Sequence, residues 1–216
     1  MSENYWDKVY WEKHLKEDDL ENIEELWIKK YENIIINNDY KKVLDLGCGI
    51  GQYTNYFIEK EYNVVTTDIS KKALDYLSNK NPKVKTVLQD MTDKLKFNDN
   101  EFDIVFANLS IHFFNEEDTQ KLLNEIHRIL KPNGLFIGSV NSTSAYEFIK
   151  DHVTEIEKNY YASNGRNVRL FDKSQFEKYF NKFDKVVLNE VVETRFKHSR
   201  ICGNSYLKNT IIIKSV

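Results

Sequence analysis

Cysteine is nearly absent from this chain: Cys48 and Cys202 are the only two in 216 residues. They lie far apart, so neither a disulfide framework nor a metal-ligand spacing can be built from them, and no metal is expected. So little use of thiols fits a reducing, cytoplasmic setting. Proline occurs twice and glycine seven times. No stretch rich in Pro, Gly or Ser interrupts the chain, so one domain over 1–216 is expected rather than two small ones. A surplus of positive charge is missing as well: 31 basic residues stand against 34 acidic ones, a formal net charge of -3. A nucleic-acid partner is therefore not expected, because neutralising phosphates usually takes a basic excess. Long apolar runs are missing too. Ile104–Phe106 and Ile211–Ile213 fall far short of the roughly 20 residues that cross a bilayer, so no membrane span is expected. Met1–Lys13 is polar and acidic, without the apolar stretch of a signal peptide.

What is present is an alternation of strand-length apolar runs with amphipathic helical stretches, the pattern of βαβ units on a parallel sheet. Strands are expected at 42–46, 63–68, 83–88, 102–107 and 135–140. Helices are expected at 52–60, from a cap at Ser70 to Asn79, and at 116–130, where Lys131-Pro-Asn-Gly134 marks the stop. Farther on, the spacing predicts a helix over Ala145–Lys158, a polar segment around Gly165, and a helix over Ser174–Phe180 capped by Asp172 or Ser174. Two β-rich segments, 185–194 and 209–214, are placed for an antiparallel return. Ahead of the first strand, Asp19–Asn37 has helical apolar spacing, and Tyr5–Lys16 reads as an aromatic-rich helix.

Three of the seven glycines fall within Gly47–Gly51, after an apolar strand and before a helix. Glycines placed there let the backbone turn sharply and let a ligand lie on the main chain. Their Gly-x-Gly-x-Gly spacing differs from the G-x-G-x-x-G of dinucleotide-binding domains. Asp45 stands two positions before the first of them, where a carboxylate would repel a pyrophosphate and suit a cation. The stretch Val43-Leu-Asp-Leu-Gly-Cys-Gly-Ile-Gly51 resembles motif I of the class I methyltransferases that depend on S-adenosylmethionine (SAM), a ligand carrying a sulfonium and an ammonium. The resemblance extends over about 43–140. It implies an α/β, Rossmann-like, mostly parallel sheet of seven strands in the order 3-2-1-4-5-7-6, the last antiparallel, with helices on both faces. In those terms 1–38 would form N-terminal helices and a lid, 39–141 the SAM-binding core, 142–172 an acceptor-site insertion, and 173–216 a C-terminal helix and strands.

Carried over residue by residue, the resemblance places Asp45, Gly47, Cys48, Gly49 and Gly51 at the amino-acid end of SAM. Asp68 and Ile69 would lie at the ribose, where one carboxylate can accept from two vicinal hydroxyls. Asp90 and Met91 would bracket the adenine, and Asn108 would open the loop that presents the methyl group. Simpler roles stand beside these: Asp68 as a helix cap, Asp45 as a loop cap, Cys48 as a small filler with nothing basic beside it to make a thiolate. His112 is the candidate catalytic residue, a general base or a wall of the SAM pocket. Tyr5, Trp6, Tyr10 and Trp11 are lid candidates, since aromatic faces attract cations, or an ordinary packed helix. Arg166 and Arg169 would favour an anionic acceptor or belong to a solvated loop. The loop Asn108-Leu-Ser-Ile111 departs from the Asn/Asp-Pro-Pro-Tyr/Phe tetrad of many amino-methylating enzymes. A small-molecule acceptor is therefore expected, with S-adenosylhomocysteine (SAH) as the product. RNA or protein methylation, a non-catalytic SAM-binding protein and an NAD-dependent oxidoreductase are the rivals.

Overall fold

The apolar runs form strands buried on both faces, because helices cover the sheet from either side. The computed structural model describes residues 3–12, 15, 26–36, 39–163, 165–194 and 205–215. Strands β1 (Lys42–Leu46), β2 (Asn63–Asp68), β3 (Lys85–Leu88), β4 (Phe102–Asn108), β5 (Leu130–Asn141), β9 (Phe183–Thr194) and β10 (Ser205–Ser215) make one sheet. Its order is β3-β2-β1-β4-β5-β10-β9. β1 runs parallel to β2 and β4, while β10 is antiparallel to both β5 and β9. Counted within this sheet alone, the order is the expected 3-2-1-4-5-7-6.

Successive residues of a strand point to opposite faces, and two cores result. Val43, Ile104, Phe106 and Ile137 pack under Trp27, Ile28, Ile35 and the helix α1 (Gln52–Glu59), which contributes Tyr53, Tyr56 and Phe57. Leu44, Leu46, Val105, Ala107 and Phe136 face the other way. They are covered by α3 (Glu116–Ile129), through Leu122, Leu123, Ile126 and Ile129, and by α4 (Lys173–Tyr179), through Phe176 and Tyr179. Each such side chain taken from water contributes roughly 1.5–3 kcal/mol. Two helices begin where the sequence places a cap, at Ser70 and Asp172, and a third begins at Asn115, which the spacing did not single out. Ser70 accepts from the Ala73 amide at 3.1 Å to cap α2 (Lys71–Lys80), and Asn115 accepts from Asp118 N at 2.7 Å to cap α3. Asp172 and Gln175 form a capping box on α4.

The segment after β5 corrects the sequence reading. No helix runs over 145–158: the turns at Thr143–Ala145, Tyr146–Ile149 and Lys150–His152 end there, and β6 (Thr154–Glu157), β7 (Tyr160–Ser163) and β8 (Arg166–Arg169) form an antiparallel sheet of their own. Asn159 takes a left-handed φ of 60° between β6 and β7, a conformation that Asn tolerates and that breaks a helix. The helical spacing was real but local. Ala145, Ile149 and Val153 bury themselves against Tyr161, Val168 and Leu170 of the hairpin, which gives that face a partner without continuing the helix.

Smaller differences follow the same logic. β3 starts at Lys85, and β5 takes in the Pro-Asn-Gly turn as a bulge, its partner register jumping between Phe102 and Ile104. Of the expected helix at 5–16, the described part is an α-turn, Glu3–Tyr5, running into a π-helix, Trp6–Trp11. Residues 19–25 and 37 lie outside the described residues, and 27–36 is a 3-10 helix (Trp27–Tyr31) leading into an α-helix (Glu32–Ile36). No helix among the described residues is long and apolar enough to cross a membrane.

Candidate cofactor and acceptor site

The order of the sheet reverses between β1 and β4, and the crevice at the carboxyl ends of such strands is where open α/β sheets bind ligands. The glycine turn lies there. Gly47 N and Cys48 N both donate to Thr67 O at 2.8 Å, and Gly51 N donates back to Cys48 O at 3.0 Å. Gly47 has φ +76°, and a Cβ on it would stand 2.5 Å from Ser110 Cβ and 2.6 Å from Met91 Cε. Gly49 has φ +55°, and a Cβ there would meet the Trp11 indole at 2.8 Å. Only glycine satisfies both the left-handed backbone and the closeness of its neighbours. The β4 loop, the β3 loop and the N-terminal segment thus converge on one turn.

Two carboxylates underlie it. Asp45, 2 % exposed, accepts from Thr54 Oγ1 at 2.6 Å. Burial pushes its carboxyl up to about 7; the charge of Asp68 adds to this and the hydrogen bonds of Thr54 oppose it. Asp68 is also buried, and desolvation raises its pKa. Its Oδ2 accepts from Gly49 N at 2.9 Å and its Oδ1 from Ser70 N at 2.8 Å, so it braces the glycine turn against the start of α2. The loop-bracing and ligand roles of Asp68 are compatible, because each oxygen keeps a second lone pair. Among the described residues no ion pair neutralises either carboxylate. Buried anions without a counter-charge are costly, and a cationic nucleoside supplies what this site lacks. The Cys48 thiol, held beside both carboxylates, has its pKa pushed up by burial and by their charge, which fits a filler and not a nucleophile.

The β3 loop holds itself. Asp90 Oδ1 accepts from Thr92 N at 2.9 Å and from Thr92 Oγ1 at 2.8 Å, while Met91 lies against Gly47 and Ile69 sits half-buried beside Asp68. The β4 loop is clamped from three directions. Asn108 Oδ1 accepts from Trp27 Nε1 at 3.0 Å and from Ser139 Oγ at 2.6 Å, and Ser110 Oγ donates to Leu46 O at 2.7 Å. Between them Leu109 is held at φ +51°. A bulky residue in that region carries strain that its surroundings must impose. The loop then turns through Ile111–Phe113, with His112 3 % exposed and its ring 4.2 Å from that of Phe113.

The N-terminal segment packs against the glycine turn and the β4 loop. Tyr5, Trp6, Tyr10 and Trp11 form a chain of edge-on contacts, Trp6 meets Phe113 edge-on at 5.1 Å, and Trp11 lies on Gly49. Asp7 latches the segment to α2, accepting from Lys72 N at 3.2 Å and from Ser70 Oγ; Glu12 pairs with Lys72 at 3.5 Å. The hairpin closes the other side, and its two arginines part company. Arg166 lies over the Phe113 ring at 5.9 Å. Arg169 is only 1 % exposed: it donates to Phe114 O at 3.1 Å and Glu157 Oε2 at 2.8 Å, and it stacks on Tyr160 at 4.8 Å. It fastens the hairpin to the β4 loop and is not offered to an acceptor, which corrects its expected role.

Sequence reasoning did not single out Asp7, Phe113 or the strain at Leu109. It also passed over the hydroxyl of Thr67 near the end of β2, buried with no hydrogen-bond partner among the described residues. Only the left-handed turn before Ser110 lacked any sequence signal; Asp7 and Phe113 lay inside segments already marked.

A doubly wound, mostly parallel sheet with a glycine turn after β1 and a carboxylate closing β2 defines a Rossmann-like fold. Comparison with known proteins narrows this. Residues 44–138 match the family model described as a methyltransferase domain. Over 44–138 the chain is therefore similar to methyltransferase domains, and its fold is that of SAM-dependent methyltransferases of known structure. An uncharacterised methyltransferase of Synechocystis is 37% identical over 105 residues, 49% of this chain and 49% of that protein. The human mitochondrial arginine-hydroxylase NDUFAF5 is 38% identical over 107 residues, 49% of this chain and 30% of that one. The chain therefore spans about half, or less, of the length of these relatives. A SAM-dependent methyltransferase structure from Methanosarcina mazei shares the fold, with a TM-score of 0.73 at 16% identity over 85% of this chain and 97% of that one.

Proposed function

We propose that this protein transfers the methyl group of SAM to a small-molecule acceptor by in-line displacement. The observation that carries this is the aromatic N-terminal segment, which rests on the cofactor turn at Gly49 and on the β4 loop at Phe113 at once. An acceptor seated between them would lie beside the methyl group, under a cover that excludes water. A folded macromolecule would have to displace both the segment and the hairpin to reach the same place.

When bound, SAM supplies an electrophilic methyl on a sulfonium whose departure leaves a neutral thioether. The chain's part is to hold and orient. Asp45 and the backbone of 47–51 would receive the amino-acid end, Asp68 the ribose, and Asp90 with Met91 the adenine. Asn108, fixed by Trp27 and Ser139, sets the floor of the methyl position. Orientation of this kind can supply roughly 7–11 kcal/mol of the barrier lowering, so no dedicated base is required. His112, buried against Phe113, serves as a wall on the acceptor side.

The test is equilibrium binding of SAM and SAH to the wild type and to Asp68→Ala. Loss of a carboxylate that accepts two hydroxyls should weaken SAH by about tenfold to a hundredfold. No measurable affinity in the wild type, or an unchanged affinity in the variant, would sink the assignment. Binding of SAM with no conversion to SAH over a broad small-molecule panel would favour a non-catalytic binding protein, and conversion only with RNA or protein would relocate the acceptor.

A further inference from the structure

We infer that Arg166 selects an acceptor that carries a negative charge, and that the acceptor is a small planar anion of the aromatic carboxylate kind. The inference rests on the methyltransferase reading above and names the substrate class of that site.

Three arginines lie among the described residues, and two are already satisfied. Arg128 is held by Glu125 and Asp99, and Arg169 by Glu157 and Phe114 O. Arg166 is exposed and forms no ion pair or hydrogen bond with a carboxylate among the described residues; its one recorded contact is with the face of Phe113. A guanidinium keeps its charge at any working pH and presents a planar fork that matches a carboxylate with two parallel hydrogen bonds. Among the described residues the Arg166 fork is therefore left open to a ligand's carboxylate.

Its place gives the charge a meaning. Phe113 is the last residue of the turn after β4, next to His112, and Trp6 meets its ring edge-on at 5.1 Å. One residue before Arg166, a Cβ on Gly165 would lie 3.3 Å from the Tyr5 ring, so the hairpin touches the aromatic segment directly. Aromatic rings gathered this way beside a cation accept a flat group by stacking or edge-on contact. The electrostatics of the site are divided: the carboxylates Asp7, Asp45 and Asp68 cluster around the glycine turn and the start of α2, whereas Arg166 stands on the acceptor side. A cationic acceptor would be repelled by both Arg166 and the sulfonium, and an anionic one is drawn by both.

The experiment uses the full chain loaded with SAH, with salicylate and its uncharged isostere salicylamide as probes in calorimetry. Salicylate should bind about tenfold more tightly than salicylamide, the scale of one charge-assisted pair. Arg166→Gln should abolish that preference by weakening salicylate, with salicylamide and SAH each unchanged to within about twofold and the melting temperature unmoved. Arg166→Lys should recover part of the preference, since it keeps the charge and loses the fork. The inference is overturned if salicylamide binds as well as salicylate, if neither binds the SAH complex, or if the preference survives in Arg166→Gln. Absence of SAH binding in the wild type would instead bring down the methyltransferase reading itself, so the two failures are told apart in one titration.

Discussion

Asp45 ought to make SAM binding depend on pH in a window where few carboxylates titrate. In the ligand-free fold its carboxyl is pushed up to about 7, chiefly by burial. An incoming ammonium favours the ionised form, so binding at acid pH must first release the proton. With one such group, the apparent Kd should rise about tenfold per unit below pH 7, and roughly tenfold at pH 6 relative to its limiting value. The same group acts on folding. Its folded pKa lies above the unfolded value of about 3.9, so the ligand-free fold holds a proton that the unfolded chain has lost. This contribution therefore weakens the ligand-free protein as pH rises from about 4 to 7, by an amount on the order of 4 kcal/mol over the whole window. SAM or SAH should reverse the trend by stabilising the ionised form. The assay is calorimetric titration with SAH at pH 5.5, 6.5 and 7.5 in buffers of different ionisation enthalpy, which also counts the protons released. Asp45→Asn should bind more weakly and lose most of the slope. Asp68, also shifted upward, would account for any remainder, read from Asp68→Asn. A flat profile in the wild type, or an undiminished slope in Asp45→Asn, would refute the coupling.

Three other expectations follow from particular contacts. Trp11→Ala uncovers Gly49 and removes an aromatic face worth roughly 0.5–2 kcal/mol to a cation, so SAH should leave several-fold faster in stopped-flow fluorescence; an unchanged off-rate would mean that the segment is not a lid. Arg169→Ala strips Phe114 O and Glu157 of their partner. With Glu157 half in solvent, the loss should be about 2–4 kcal/mol in urea unfolding, while SAH affinity at saturating stability stays near wild type; a change below about 0.5 kcal/mol would contradict the stapling role. His112→Gln should lower kcat by less than about tenfold and leave its pH profile in place, since removing a true general base costs roughly a hundredfold or more; a loss on that larger scale would assign His112 to catalysis.

The parts of the fold that could be read from sequence are those specified locally. β1, α1, β2, α2, β4 and α3 each carry their own periodicity, and Ser70 caps α2 as the sequence suggests. The glycine turn was legible because a left-handed backbone leaves a direct trace in composition. Residues 145–158 failed for the opposite reason: Ala145, Ile149 and Val153 keep helical spacing, yet the partner that claims them comes from Tyr161, Val168 and Leu170, and no local pattern announces that contact. Arg169 misled in the same way. A second arginine three residues after Arg166 looks like part of a charged patch, but register places it opposite Tyr160, and burial then commits it to Phe114 and Glu157.

This division of legibility coincides with a division of labour. The segment that matches a methyltransferase domain, 44–138, contains the glycine turn, both buried carboxylates and the β4 loop, the groups to which the proposed function gives the cofactor. The elements proposed to flank the acceptor, Glu3–Trp11 before it and the β6–β8 hairpin after it, lie outside that span. Both of them reach Phe113, through Trp6 on one flank and Arg166 on the other. Likeness over 44–138 can therefore describe the donor side while leaving the acceptor side open, since a change in the hairpin would alter the surroundings of Phe113 without touching Asp45, Asp68 or the turn between them, whereas the N-terminal segment also rests on Gly49. Exchanging the hairpin for another of equal length should alter which acceptors are methylated and leave SAH affinity intact. Were both to change together, the two halves of the site would be one cooperative unit and the separation argued from Phe113 would fail.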